Sequence, residues 1–119
     1  MVERQYPCLK TDIRKLSENA KAVVSLCTER GIDVAGVVKG FNGIEEPAFA
    51  IYKAGVKQIA SSRLEQIEKL KTSGMDADFM LIRIPMLSEA EYVAELCDIS
   101  LESETDVIKK IDACCRKRG

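Results

Sequence analysis

A chain of 119 residues with 46% hydrophobic content can bury one core but not two. Eighteen basic residues nearly balance nineteen acidic ones, so neither nucleic acid nor an anionic membrane is an expected partner. The sequence has no histidine, which excludes histidine triads, histidine general bases and histidine-ligated metal from these residues, and no metal site is expected.

The opening residues, Met1 to Pro7, lack the apolar stretch of a secretion signal, and no apolar run approaches membrane-spanning length. A cytoplasmic location is therefore expected. Cys8, Cys27, Cys97, Cys114 and Cys115 form an odd set without CxxC spacing, which reads as reduced, partly buried thiols rather than a disulfide framework.

An extended piece is expected near Cys8 to Thr11. Helical spacing then begins at Ile13 and continues through Leu16, Ala20, Val23, Val24 and Cys27, with Asp12 as N-cap and Gly31 just beyond the end. Asp33 to Lys39 is nearly all apolar, as in a parallel strand buried on both faces. Glu45, Glu46 and Pro47 mark the start of a short helix that Gly55 ends. Val56 to Ala60 reads as a strand, and Ser62 with Glu65 has capping-box spacing for a helix ending near Gly74. Asp78 to Ile84 is the next strand, after which Ser88 and Glu91 repeat the capping pattern. Ile99 to Leu101 is a weaker strand. Ser103 and Asp106 begin a last helix with apolar positions Val107, Ile108, Ile111 and Cys115, and the basic run Arg116 to Arg118 suits its negative end.

Alternating strand and helix implies an α/β fold with a parallel sheet. Two architectures fit: the first five βα units of a (β/α)8 TIM barrel, truncated, or a five-stranded doubly wound α/β sheet. A whole barrel takes roughly 250 residues, so the first alternative makes residues 1–119 the N-terminal part of a barrel with no second domain.

In either architecture ligands bind at the carboxyl ends of the strands. Lys39 ends its apolar strand there, and partial desolvation would favour the neutral, nucleophilic amine. The pattern alone fits a surface lysine better. Gly40, Asn42 and Gly43 permit close approach of backbone to a ligand, or an ordinary turn. No GxxxxGK[ST] or GxGxxG loop is present, so nucleotide binding lacks its usual phosphate cradle. Arg83 and Arg63 lie near strand ends, where a guanidinium could pair with a carboxylate or phosphate, or with an acidic side chain of the protein itself. Ser61, Ser62, Ser100 and Ser103 stand at similar levels. They could donate to a ligand, although helix capping accounts for Ser62 and Ser103. Glu65 to Lys71 reads as a solvated helical face.

Four segments carry a family resemblance: Leu9-Lys-Thr-Asp-Ile-Arg-Lys-Leu-Ser-Glu-Asn19-Ala, Val37-Val-Lys39-Gly, Ala60-Ser-Ser-Arg63-Leu-Glu65 and Leu81-Ile-Arg-Ile-Pro-Met-Leu-Ser-Glu89. Together they resemble the alanine and ornithine racemase family of fold-type III pyridoxal-phosphate enzymes, over almost the whole chain. The last segment is closest to the ornithine-racemase branch. The resemblance implies the TIM barrel, pyridoxal 5'-phosphate as cofactor and an amino acid as the small-molecule substrate, and it makes Lys39 the catalytic Schiff-base lysine. From their places near strand ends, Ser62 and Arg63 are expected at the cofactor and Arg83 at the substrate. The chain departs from the ornithine-racemase pattern at Val38, Asn42, Ser61 and Glu102, which bears on substrate identity. A non-catalytic pyridoxal-phosphate homeostasis protein and a small α/β interaction module are the alternatives. As a fragment the chain is expected to be inactive and to exist as a homodimer or otherwise self-associated, because unpaired strand edges template association.

Overall fold

The computed structural model describes residues 7–119. Helix α1 (Ile13–Thr28) starts where the Asp12 carboxylate accepts the Lys15 N–H at 3.0 Å, and it closes with Gly31 at φ 68°. Strand β1 (Ala35–Val37) leads through a 3-10 turn at Lys39–Phe41 into α2 (Glu45–Lys53), whose first turn carries Glu45 and Glu46. Strand β2 (Gln58–Ser61), α3 (Leu64–Thr72), β3 (Asp78–Leu81), α4 (Ala90–Leu96), β4 (Ile99–Ser100) and α5 (Thr105–Arg118) complete the alternation.

The four strands are all parallel and lie in sequence order, β1-β2-β3-β4. Every crossover therefore steps the same way, and right-handed crossovers that never reverse place their helices on one side of the sheet. A doubly wound sheet needs a reversal of strand order, which this sheet lacks. The core lies between that helical layer and one sheet face, built from Ile59, Phe79 and Leu81 of the strands and Val38 just past β1 against Leu64, Ile67, Leu70, Val93 and Leu96 of the helices. On the other face the register aligns Val37, Ala60, Met80 and Ile99. Along this row Val37 is 46% exposed and Met80 and Ile99 are partly exposed, while Ala60, flanked by Val37 and Met80, is fully buried. A radius of gyration of 16.8 Å exceeds the roughly 13–14 Å of a compact domain of this length, as an open two-layer shape requires.

Several boundaries differ from expectation. Among the described residues four strands are present where five were expected, because the segment near Cys8 to Thr11 lies outside the sheet. It is exposed throughout, and Pro7 and Lys10 leave few apolar side chains to gain from docking. The strand expected over 33–39 is paired only at Ala35–Val37, since Val38 turns to φ −102°, ψ −1° and starts the 3-10 turn. The strand expected over 78–84 ends at Leu81. On α5 the buried positions are Val107 and Cys114, with Ile111 partly buried, while Ile108 and Cys115 are exposed. The i, i+4, i+7 stripe thus falls one residue from the expected one at its far end.

Candidate functional site

Parallel strands in sequence order bring successive strand ends to one edge, and this edge collects most of the residues singled out above. Lys39 follows β1, Ser61 ends β2 with Ser62 and Arg63 beyond it, Arg83 lies two residues past β3, and Glu102 two past β4. The register puts neighbouring strand ends level, with Val38 N–H donating to Ala60 O, Ile82 N–H to Ser61 O and Leu101 N–H to Leu81 O.

Lys39 is exposed rather than partly desolvated. The cause is the αR turn at Val38, which sends Val38 into the core and Lys39 out of the ladder beside a partly exposed sheet face. Its ammonium has no hydrogen bond or ion pair among the described residues. The loop around it is nonetheless well defined: Asn42 N–H donates to Lys39 O and Gly43 N–H to Val38 O, both at 3.0 Å, with Asn42 and Gly43 left-handed at φ 58° and 60°.

Ser61 is fully buried. Its hydroxyl donates to Gln66 Oε1 at 2.6 Å and accepts the Arg63 N–H at 3.2 Å, and Gln66 Nε2 donates to Asn42 Oδ1 at 2.9 Å. The Ser62–Glu65 capping box is not formed: α3 starts one residue later than expected, with Arg63 as the N-cap residue and no side-chain cap bond. Arg63 is exposed and Ser62 half-buried, its carbonyl accepting from Arg83 Nε.

Arg83 is held within the protein. Its guanidinium pairs with both Glu89 oxygens, Nη2 to Oε1 at 2.8 Å and Nη1 to Oε2 at 3.0 Å, and donates to Ser62 O and Ile84 O. Four of its five N–H donors are engaged, leaving one on Nη2. Glu89 Oε2 also accepts the Met86 N–H, so this carboxylate caps the turn at Leu87–Glu89 in place of the expected Ser88–Glu91 pair. The Arg83 bond, then the Met86 N–H, hold the Glu89 carboxyl below the usual glutamate range. Stabilisation from a depressed carboxyl is present above the unfolded-state value and lost as pH falls through the folded one. Both groups retain solvent contact, so the pair is worth about 1 kcal/mol or less. Glu89→Gln should cost that much in urea unfolding at pH 7, and the difference from the unsubstituted protein should shrink as pH falls through and below the ordinary glutamate range. A difference that does not change with pH would assign the loss to packing.

Glu102 has both carboxylate oxygens shielded from water and without a hydrogen-bond partner among the described residues, an arrangement that costs free energy. Cys97 is half-buried, and burial, with Asp98 adding and Lys71 opposing, pushes its thiol up to about 11. It is a protonated packing residue at neutral pH. All five cysteines are free, although Cys8 and Cys115 are exposed rather than partly buried. No metal-ligating cluster occurs among the described residues, and no helix among them is long and apolar enough to cross a membrane.

Sequence reading missed Gln66 and Glu89. Gln66 lies on the buried stripe of α3 with Ile67 and Leu70, and a polar side chain there demands a partner, which was the available signal.

No family model matches the chain. It is 35% identical over 112 residues to a lysine racemase of Thermotoga maritima, an alignment covering 94% of this chain and 32% of that protein. It is 35% identical over 111 residues to an ornithine racemase of Acetoanaerobium sticklandii, covering 93% of this chain and 31% of that one. The chain thus spans just under a third of the length of the curated relatives it matches. The chain is thus similar to part of two curated amino-acid racemases.

Proposed function

We propose that this chain, related in sequence to racemases, supplies the lysine-bearing part of a pyridoxal-phosphate-dependent amino-acid racemase barrel. The observation that carries the reading is Lys39, an exposed amine at the carboxyl end of β1 beside the partly exposed face of a sheet that winds in one direction. Such a sheet is what closes into a (β/α)8 barrel when further units follow, and the open row from Val37 to Ile99 becomes barrel interior. In that reading the partners are a small amino acid and whatever strands complete the sheet.

The residues at this edge fit the cofactor. An exposed primary amine suits an aldehyde, Gly40 has open space where a side chain would stand, and Ser62 and Arg63 offer a hydroxyl and a guanidinium suited to a phosphate. When bound, pyridoxal phosphate supplies an electron sink for the pair left by α-proton removal, which no side chain here provides. Lys39 supplies the covalent attachment and, when released, an amine able to move the α-proton on one face of the substrate. Arg83 retains one free N–H, enough for a single contact to a substrate carboxylate. Inversion also needs a base on the opposite face. Tyr52 donates to Asp76 O at the amino end of β3, and Tyr92 lies exposed on α4, so neither described tyrosine is placed for it.

Borohydride reduction of the protein with pyridoxal 5'-phosphate, followed by peptide mapping, should place the label on Lys39. Label on other lysines, undiminished in the Lys39→Ala protein, would remove Lys39 from the mechanism. Conversion of an L-amino acid to its D form by the full-length barrel protein separates a racemase from a cofactor carrier.

A further inference from the structure

We propose that the relay Ser61–Gln66–Asn42, buried at Ser61 and Gln66 and reaching the exposed Asn42, is a positioning device for the loop that carries Lys39, with Gln66 as its central positioning residue. The inference deepens the reading above and rests on it for its catalytic meaning. The amine itself is held by nothing, so its place is set by the turn that carries it. That turn uses two left-handed residues in succession, Asn42 and Gly43, a conformation that needs support where one residue is not glycine.

Gln66 provides the support from an adjacent element. It is 7% exposed on α3, receives the Ser61 hydroxyl and donates to Asn42 Oδ1 across 24 residues of sequence. Its side chain also lies against Gly43, where an added Cβ would stand 2.9 Å from Gln66 Cβ. The end of β2, the start of α3 and the Lys39 turn are thereby joined by hydrogen bonds that satisfy one another's buried groups. A hydrophobic residue would serve the core contacts of α3 equally well, since Ile67 and Leu70 already fill that side. What the amide adds is a directed link to the residue three beyond Lys39.

The test uses Gln66→Met, close in shape but without the amide, and Asn42→Gly, which keeps the left-handed backbone and deletes the acceptor. Each should speed amide hydrogen exchange at residues 39–43 about tenfold, the scale of one net buried hydrogen bond, with exchange in β3 unchanged. Each should also lower borohydride-trapped pyridoxal 5'-phosphate at Lys39 about tenfold relative to the label on Lys57, another exposed lysine. The double variant should match Gln66→Met, because both single changes remove the Gln66–Asn42 bond and only Gln66→Met also removes the Ser61–Gln66 bond. Unchanged exchange at 39–43, equal acceleration in β3, or additive effects would overturn the relay. If the unsubstituted protein takes no label at Lys39, the cofactor reading fails, and the exchange pattern alone decides the relay.

Discussion

Phe79→Ala should remove about 3–5 kcal/mol of stability, a large share of the margin of about 5–15 kcal/mol usual for a domain. Phe79 is the largest of the fully buried side chains, 1% exposed at the centre of β3. It stands level with Ile59 of β2, and its backbone is tied to Asp98 from both sides, N–H to the carboxylate and carbonyl to the Asp98 N–H, each at 2.8 Å. Those bonds keep the strand in place after truncation, so the helices cannot easily collapse into the vacated volume. With the opposite sheet face partly exposed, no second core compensates. Lys71 Nζ, 5.9 Å from the ring centroid, would lose its contact as well. Urea unfolding followed by far-ultraviolet circular dichroism measures the loss. A cost under about 2 kcal/mol would mean that α3 and α4 close over the gap.

Gly43→Ala should cost about 2–4 kcal/mol, the sum of a left-handed alanine and an overpacked contact. Gly43 has φ +60°, and the new Cβ would meet Gln66 Cβ at 2.9 Å and Cγ at 3.0 Å. Neither atom is the free end of a flexible chain, because Gln66 is buried and bonded at both ends of its amide. Gly40→Ala is the internal control. It lies three residues earlier in the same turn, without positive φ and with nothing within 4 Å of its built Cβ, so its effect should stay within about 0.5 kcal/mol. Equal effects at the two glycines would mean that the turn lacks the rigidity described here.

Much of the architecture was legible because it is local. The Asp12 cap, the Gly31 and Gly55 terminations and the acidic first turn of α2 each depend on backbone groups within about five residues, and sequence spacing reports such contacts directly. The capping pairs at Ser62–Glu65 and Ser88–Glu91 have the same spacing and did not form. In both places the fold moved the start of the helical turn: α3 begins at Leu64 with Arg63 as its N-cap residue, and the turn at Leu87–Glu89 is capped by Glu89 on the Met86 N–H.

The candidate site divides in the same way. The sequence by itself determined the alternation of strand and helix, the location of Lys39, Ser62, Arg63 and Arg83 near strand ends, and the resemblance to racemases. Period-two and period-3.6 patterns follow from backbone geometry, and motifs are read from residue order alone. Only the tertiary structure decided that the strands run in one direction without reversal, that Lys39 is exposed, that Arg83 is spent largely on Glu89, and that Gln66 is buried between Ser61 and Asn42. The physical reason is that these outcomes depend on which groups meet after the elements dock. Periodicity specifies which face of an element turns inward, but not which polar group across the interface will be there to receive it.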